Sequence, residues 1–222
     1  MNYTFKERFI MNEQKKVNQT LDLCNKALTY LYNLPKEYLY HNLEHTKMVV
    51  NTITKLFDGH NIDYHLLKIA AYYHDTGYSI QSLNHEEIGC KIAADDMVTF
   101  GFNDSEIYQV QSIIMATKIV FIKNANNEQI MYQFPGNDLF RKTICDADFY
   151  NFGSPMFFKI SLDLKKELFF VTNKDYSDEE WFNFQIKLLQ NHSWHTNQAK
   201  VLFDPQKQIN LNLLLNKVKK LE

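Results

Sequence analysis

Glycine and proline are scarce, at 6 and 4 in 222 residues, which is too few for a chain rich in tight turns and leans towards helices. Cysteine is scarcer still. Cys24, Cys90 and Cys145 are odd in number, far apart and set in apolar segments, which fits reduced thiols better than a disulfide framework. No run approaches the roughly 18 apolar residues of a membrane span, so no membrane partner is expected. Charge of one sign is also missing: 24 Lys and Arg against 26 Asp and Glu leave a net −2, which gives no reason to expect nucleic acid as a partner. The opening MNYTFKERFIMNEQKK scatters its charges and has no continuous apolar core, so it does not read as a signal peptide, and a cytoplasmic location is expected.

What is present is ordinary for a soluble globular protein, with 45% hydrophobic and 23% charged residues, and 17 Phe and 13 Tyr suggest a core filled with rings. The periodicity predicts an all-α, single-domain bundle over residues 1–222, with no repeat or interdomain linker. A first helix over 16–34 would show Val17, Leu21, Leu28 and Leu31 and stop before Pro35. A second, Asn42 to Phe57, carries Val49, Ile53, Leu56 and Phe57 on one side, and DGHN then breaks it. A third runs from Asp63 to Asp75 with Leu66, Ala70, Tyr73 and His74 on one face and Gly77 as its C-terminal cap. Asn84 and Glu87 suggest a capping start for a fourth, reaching Phe100, and a fifth begins near Asp104. The Asn-rich stretch 123–137 reads as a mobile surface loop beside a binding site, after a short β-like piece at 119–122. Further helices are expected over 138–153, 155–171 and 178–191, and a last amphipathic one from Asp204.

Two histidines, His41 and His45, sit one turn apart where the second helix begins, and His74-Asp75 closes the third. If those helices are antiparallel neighbours, the turn between them is expected to leave His45 and His74 at opposite ends of the hairpin. They would then meet only if the helices cross steeply or others intervene. The residue types nevertheless suit a metal: two imidazoles and two carboxylates form a mixed N/O set for Mn, Fe, Co, Ni, Mg or Zn. Burying His-Asp at the end of an apolar helix is costly unless a cation compensates it, and a helix C-terminus is the unfavourable end for an anion.

The ordered set YHNLEHT, YYHDTGY and CDADFYNFG resembles the His…His-Asp…Asp signature of the HD-domain metal-dependent phosphohydrolases. The resemblance covers residues 38–153, and KKELFFV, EEWFNFQ and HSWHTNQAK in the C-terminal helices (155–221) are similar to small bacterial single-domain members. It implies His45, His74, Asp75 and Asp148 as ligands of a divalent metal, with Asp146 the rival for the last place. Two residues are about 200° apart round a helix, so both aspartates cannot face one ion. It implies catalytic roles for Asp75 and for His41, which would protonate the leaving oxygen. His85, Glu86, Lys200 and Lys207 are candidates for substrate binding or, for the first two, a second metal.

Three features depart from the family pattern. Tyr78 stands where many members have a phosphate-binding Lys, no histidine follows His-Asp until His85, and IIMATK lacks a histidine pair. The second argues against a true cyclic-nucleotide phosphodiesterase. Taken singly, His41 is also a plain helix-start residue, Glu86 a first-turn acid, and Lys200 and Lys207 solvated cations. The function implied is hydrolysis of a small phosphoester, nucleotide-like, by metal-activated water. The alternatives are a di-iron oxygenase of the same superfamily and an inactive metal- or nucleotide-binding regulatory module; a homodimer is left open.

Overall fold

A computed structural model describes residues 4–57, 64–123 and 129–220. The fold is all-α with a single small hairpin among the described residues. Helix α1 (Phe5–Tyr32) is capped by Thr4, whose hydroxyl accepts from the Glu7 N–H while the Glu7 carboxylate accepts from the Thr4 N–H. Its buried face is Leu23, Cys24, Ala27 and Leu31; Val17 and Leu21, expected on that face, are about half exposed. The apolar positions at 23, 24, 27 and 31 keep the three- and four-residue spacing of one face, and that set, not 17 and 21, meets the core.

α2 (Leu43–Leu56) and α3 (His65–Tyr73) follow, and α3 is apolar nearly all round, as befits a helix enclosed by its neighbours. The DGHN breaker between them lies outside the described residues. α4 (His85–Thr99) and α5 (Asp104–Ala116) pack beside α3, and Val49, Ile53, Leu67, Ile69, Ala70, Met97, Val110, Ile113 and Ile144 form one core.

Two caps differ from expectation. Gly77 is not a left-handed cap of α3 but lies in a 3₁₀ turn (Thr76–Ser79), where an added Cβ would stand 1.9 Å from the His85 carbonyl oxygen. Only glycine allows that approach of the His-Asp turn to the start of α4. Asn84 does precede α4, but its backbone is left-handed (φ 55°), so it lacks the extended conformation of a capping residue and makes no cap bond. Glu87 instead pairs with Lys118.

The expected 123–137 loop is partly a strand. β1 (Val120–Lys123) pairs antiparallel with β2 (Gln129–Tyr132), Val120 opposite Tyr132. α6 (Leu139–Asp148) then passes into a 3₁₀ turn (Tyr150–Gly153), and α7 (Phe157–Thr172) and α8 (Asp178–Asn191) follow. α9 (Asn197–Val218) begins before the expected Asp204 because Thr196 caps it, so Pro205 falls inside the helix. Asp204-Pro205 imitates a helix start, since proline is favoured at a first helical position. A second core of Phe152, Phe157, Ile186, Leu189 and Leu214 joins these C-terminal elements to the 3₁₀ turn after Asp148. Asn210 reinforces the junction by donating to the carbonyls of Phe152 and Ser154, both at 2.9 Å. No helix among the described residues is long and apolar enough to cross a membrane.

His192 lies in this second core, ringed by Phe149, Phe152 and Trp194 at centroid distances of 5.4, 5.0 and 4.4 Å, with neither ring nitrogen hydrogen-bonded. Burial, with Lys207 and His195 adding to it, pulls its pKa down to about 3. The folded chain thus holds a neutral imidazole where the unfolded chain takes up a proton below about 6.5. Stability is full above that pH and falls as pH drops towards 3, by at most about 1.4 kcal/mol per unit from this group. In urea titrations, His192→Phe should lose less stability between pH 7 and pH 5 than the parent chain, by roughly 1–2 kcal/mol. Equal losses would contradict a neutral, enclosed His192.

Candidate metal centre

Asn42 fixes the start of α2: its side-chain oxygen accepts from the N–H groups of Glu44 and His45, while its amide donates to the carbonyls of Tyr38 and Leu39. His45 is thereby set in the first turn, pointing inward, between the rings of Tyr40 and Tyr150. His74 follows the last turn of α3, and its Nδ1 donates to the Ala71 carbonyl at 2.8 Å. That bond leaves His74 Nε2 turned to the interior, where it can serve as a ligand once its proton is displaced.

The two Nε2 atoms lie 3.4 Å apart. The expectation that they stand at opposite ends of a hairpin is therefore overturned. An out-and-back pair of helices returns the end of the second to the start of the first, which is where His74 and His45 sit.

Asp148 joins them from the end of α6, with Oδ1 3.1 Å from His45 Nε2 and 3.7 Å from His74 Nε2. His45, His74 and Asp148 each bring one ligand-type atom within 4.8 Å of the others, a spacing that can hold one ion. Asp75 adjoins them through Oδ2, 3.1 Å from His74 Nε2 and 3.6 Å from His45 Nε2. Neither approach has hydrogen-bond alignment, so this buried oxygen is without a donor, as is His45 Nδ1.

The charges agree with the geometry. Burial alone would push the Asp75 and Asp148 carboxyls up, yet the facing histidines bring both below the usual carboxylate range. Burial would likewise lower His74, but Asp75 and Asp148 raise it to about 9. Two anions thus attract positive charge into a buried pocket, and the donor set of two imidazoles and two carboxylates fits a divalent cation.

Asp146, the rival, faces away. It is fully buried and accepts from the N–H of His195 (2.7 Å) and from the N–H and hydroxyl of Thr196 (2.9 and 2.7 Å), anchoring the start of α9 to α6. Burial lifts its pKa to about 6 despite those bonds.

His41 and His85 flank the cluster. The His41 Nδ1 pairs with the buried Glu167 of α7, whose other oxygen accepts from the N–H groups of Tyr40 and His41 at 2.7 and 3.0 Å. Burial would lower the His41 pKa, but Glu167, with Asp75 and Asp148, raises it on balance. Tyr78 stacks on the His41 ring at 4.4 Å and meets the His85 ring, tilted by 35°, at 4.3 Å, so the residue in place of the family's lysine packs against two imidazoles. His85 Nε2 lies 3.6 Å from Asp75 Oδ1, the oxygen turned away from His45, and 3.5 Å from Glu86, which is also buried.

Residues 42–128 match the family model of the HD domain. That stretch holds His45, His74 and Asp75. No curated protein matches the chain. Three solved bacterial structures share the fold. A Listeria innocua protein is 16% identical with a TM-score of 0.63, covering 93% of this chain and 97% of its own. A Lactobacillus plantarum protein is 14% identical with a TM-score of 0.64, covering 91% and 96%. A predicted HD superfamily hydrolase from an uncultured Thermotogales bacterium is 15% identical with a TM-score of 0.54, covering 92% of each.

Beside this centre lies a cavity of 220 Å³ whose wall includes His41, Tyr78, His85, Glu86 and Asp148. Lys200 and Lys207 do not reach it. They line a different cavity with Trp194 and Asp204, and Lys207 is buried there, donating to the carbonyl of His192 at the end of α8. A lysine at a helix C-terminus is electrostatically favoured, which accounts for Lys207 without a substrate.

Glu167 and Gln133 were not anticipated. Gln133 is buried and its amide donates to the Thr117 carbonyl at 2.8 Å and to Asp148 Oδ2 at 2.9 Å, holding that carboxylate in place. It falls in a stretch that composition marks as a loop, and Glu167 in a helix more than a hundred residues from His41. Neither has a local signal; only packing brings them in. In cobalt titrations, His74→Ala should abolish binding, and Gln133→Leu should weaken it by about 10–100-fold with helical content unchanged. Parental affinity in Gln133→Leu would remove it from the support of Asp148.

Proposed function

We propose that this HD-domain chain is a metal-dependent hydrolase that cleaves a phosphoester of a small, nucleotide-like molecule. The observation that carries the proposal is the convergence of His45, His74, Asp75 and Asp148, with the His41–Glu167 pair on the wall of the adjoining cavity. Those four residues would hold a divalent ion, which would supply Lewis-acid chemistry at a phosphoryl oxygen and lower the pKa of water towards about 7.

The protein's own groups do the rest. Ala71 and Gln133 hold His74 and Asp148 in orientation through the bonds described above. Glu167 fixes the His41 tautomer and favours its protonated form, so Nε2 carries the proton that the leaving oxygen needs. Tyr78, stacked on that ring, prevents it from turning away. Phe149, Phe152, Leu164 and Leu168 line the cavity and restrict water to the polar end. His85 and Glu86, on the other oxygen of Asp75, are suited to a second ion or to substrate.

The test is phosphate release by the Mn- or Co-loaded chain from nucleoside mono-, di- and triphosphates, dinucleotides and sugar phosphates. Metal-dependent turnover that disappears in Asp75→Ala is expected; no release from any ester by metal-loaded protein would overturn the proposal. His41→Ala should keep its metal and lose about 10²–10⁴-fold in turnover. Glu167→Gln should retain metal as well, lose part of that rate, and shift the acid side of the pH–rate profile. An unchanged profile would separate Glu167 from proton transfer.

A further inference from the structure

The cavity beside Asp148 and His41 has a one-sided chemistry. Its ionisable wall is made of Asp148, Glu86, two histidines and two tyrosines, with no lysine or arginine on it among the described residues. The rest is aromatic and aliphatic, chiefly Phe149, Phe152, Phe184, Leu164, Leu168 and Leu188. Two amides interrupt that apolar surface. Gln185 on α8 is 1% exposed and its Nε2 has no hydrogen-bond partner; Asn151, in the 3₁₀ turn after Asp148, is 3% exposed and its Oδ1 has none. Buried polar atoms without partners cost stability and are rare in native interiors, so a pair on one cavity wall calls for a ligand that satisfies them. Each amide offers both a donor and an acceptor.

We propose that this cavity binds an uncharged, planar part of the substrate whose edge presents a hydrogen-bond donor and acceptor together, as a carboxamide or lactam does, read by Gln185 and Asn151. The inference rests on the hydrolase proposal only in placing the scissile phosphate at the His45–Asp148 end. An anionic group in the cavity would meet the carboxylates of Glu86 and Asp148, and the one facing imidazolium, His41, is already paired with Glu167, so charge belongs at the metal end and the rest of the cavity takes a neutral ring. The volume of 220 Å³ suits one ring system with small substituents, not an extended polymer.

The experiment uses the full chain and two sets of probes. Binding of 4-hydroxybenzamide, phenol and 4-hydroxybenzoate is measured by titration calorimetry or ligand-observed NMR. Hydrolysis of the three corresponding aryl phosphates is measured on the Mn-loaded protein. The carboxamide should bind about tenfold tighter than the carboxylate, with phenol between them, and the esters should follow the same order in kcat/KM. Gln185→Leu and Asn151→Leu, close in size to the residues replaced, should bring the carboxamide down to the level of phenol. Tighter binding of the carboxylate, or no preference in the parent chain, would overturn the inference whether or not the variants fold. Carboxamide-selective binding with no phosphate release from any ester would uphold the cavity's specificity and dismiss the hydrolase proposal instead.

Discussion

Two carboxylates and two imidazoles share a small volume in the apolar interior, and much of the molecule is arranged to keep them there. Charge of that density, cut off from water, is tolerable only when it is compensated and each group is held in one orientation. The Ala71 carbonyl sets His74, Asn42 sets the turn that carries His45, and Gln133 sets Asp148. Gly77 lets the His-Asp turn lie against the start of α4, where no side chain would fit. The C-terminal helices take part through Asp146, whose three bonds to His195 and Thr196 clamp α9 onto the helix that ends at Asp148.

That arrangement divides the two aspartates of Asp-Ala-Asp by function. They leave α6 on different sides; one is enclosed by backbone N–H groups and the other by histidines. The same separation holds on a larger scale. The wall of one cavity combines carboxylates and imidazoles with rings and amides, and the two lysines of the C-terminal segment line a different one.

Much of this is legible in the sequence. The apolar faces of α2, α3 and α5 obey helical periodicity, and His45 and His74-Asp75 stand out by residue type and place, whereas Asp148 is preferred to Asp146 only through the resemblance to the family signature. What failed did so for identifiable reasons. The meeting of His45 with His74 was missed through the path of the chain, not its composition. Val17 and Leu21 were placed on the buried face of α1 because several apolar stripes compete on one long helix, and only packing chooses between them. Asn84 has the right residue type for a cap, but its left-handed backbone decides otherwise. Glu167 and Gln133 act across more than a hundred residues and out of a polar stretch respectively, distances at which local patterns carry no information. Gln185 and Asn151 look like any amides until burial removes their water.

The most direct test of the account is anomalous diffraction from crystals grown with manganese. A strong peak is expected within coordination distance of His45 Nε2, His74 Nε2 and Asp148 Oδ1, with Asp75 Oδ2 turned towards it. A saturated metal bound elsewhere, with these four side chains keeping contact only with one another, would contradict it.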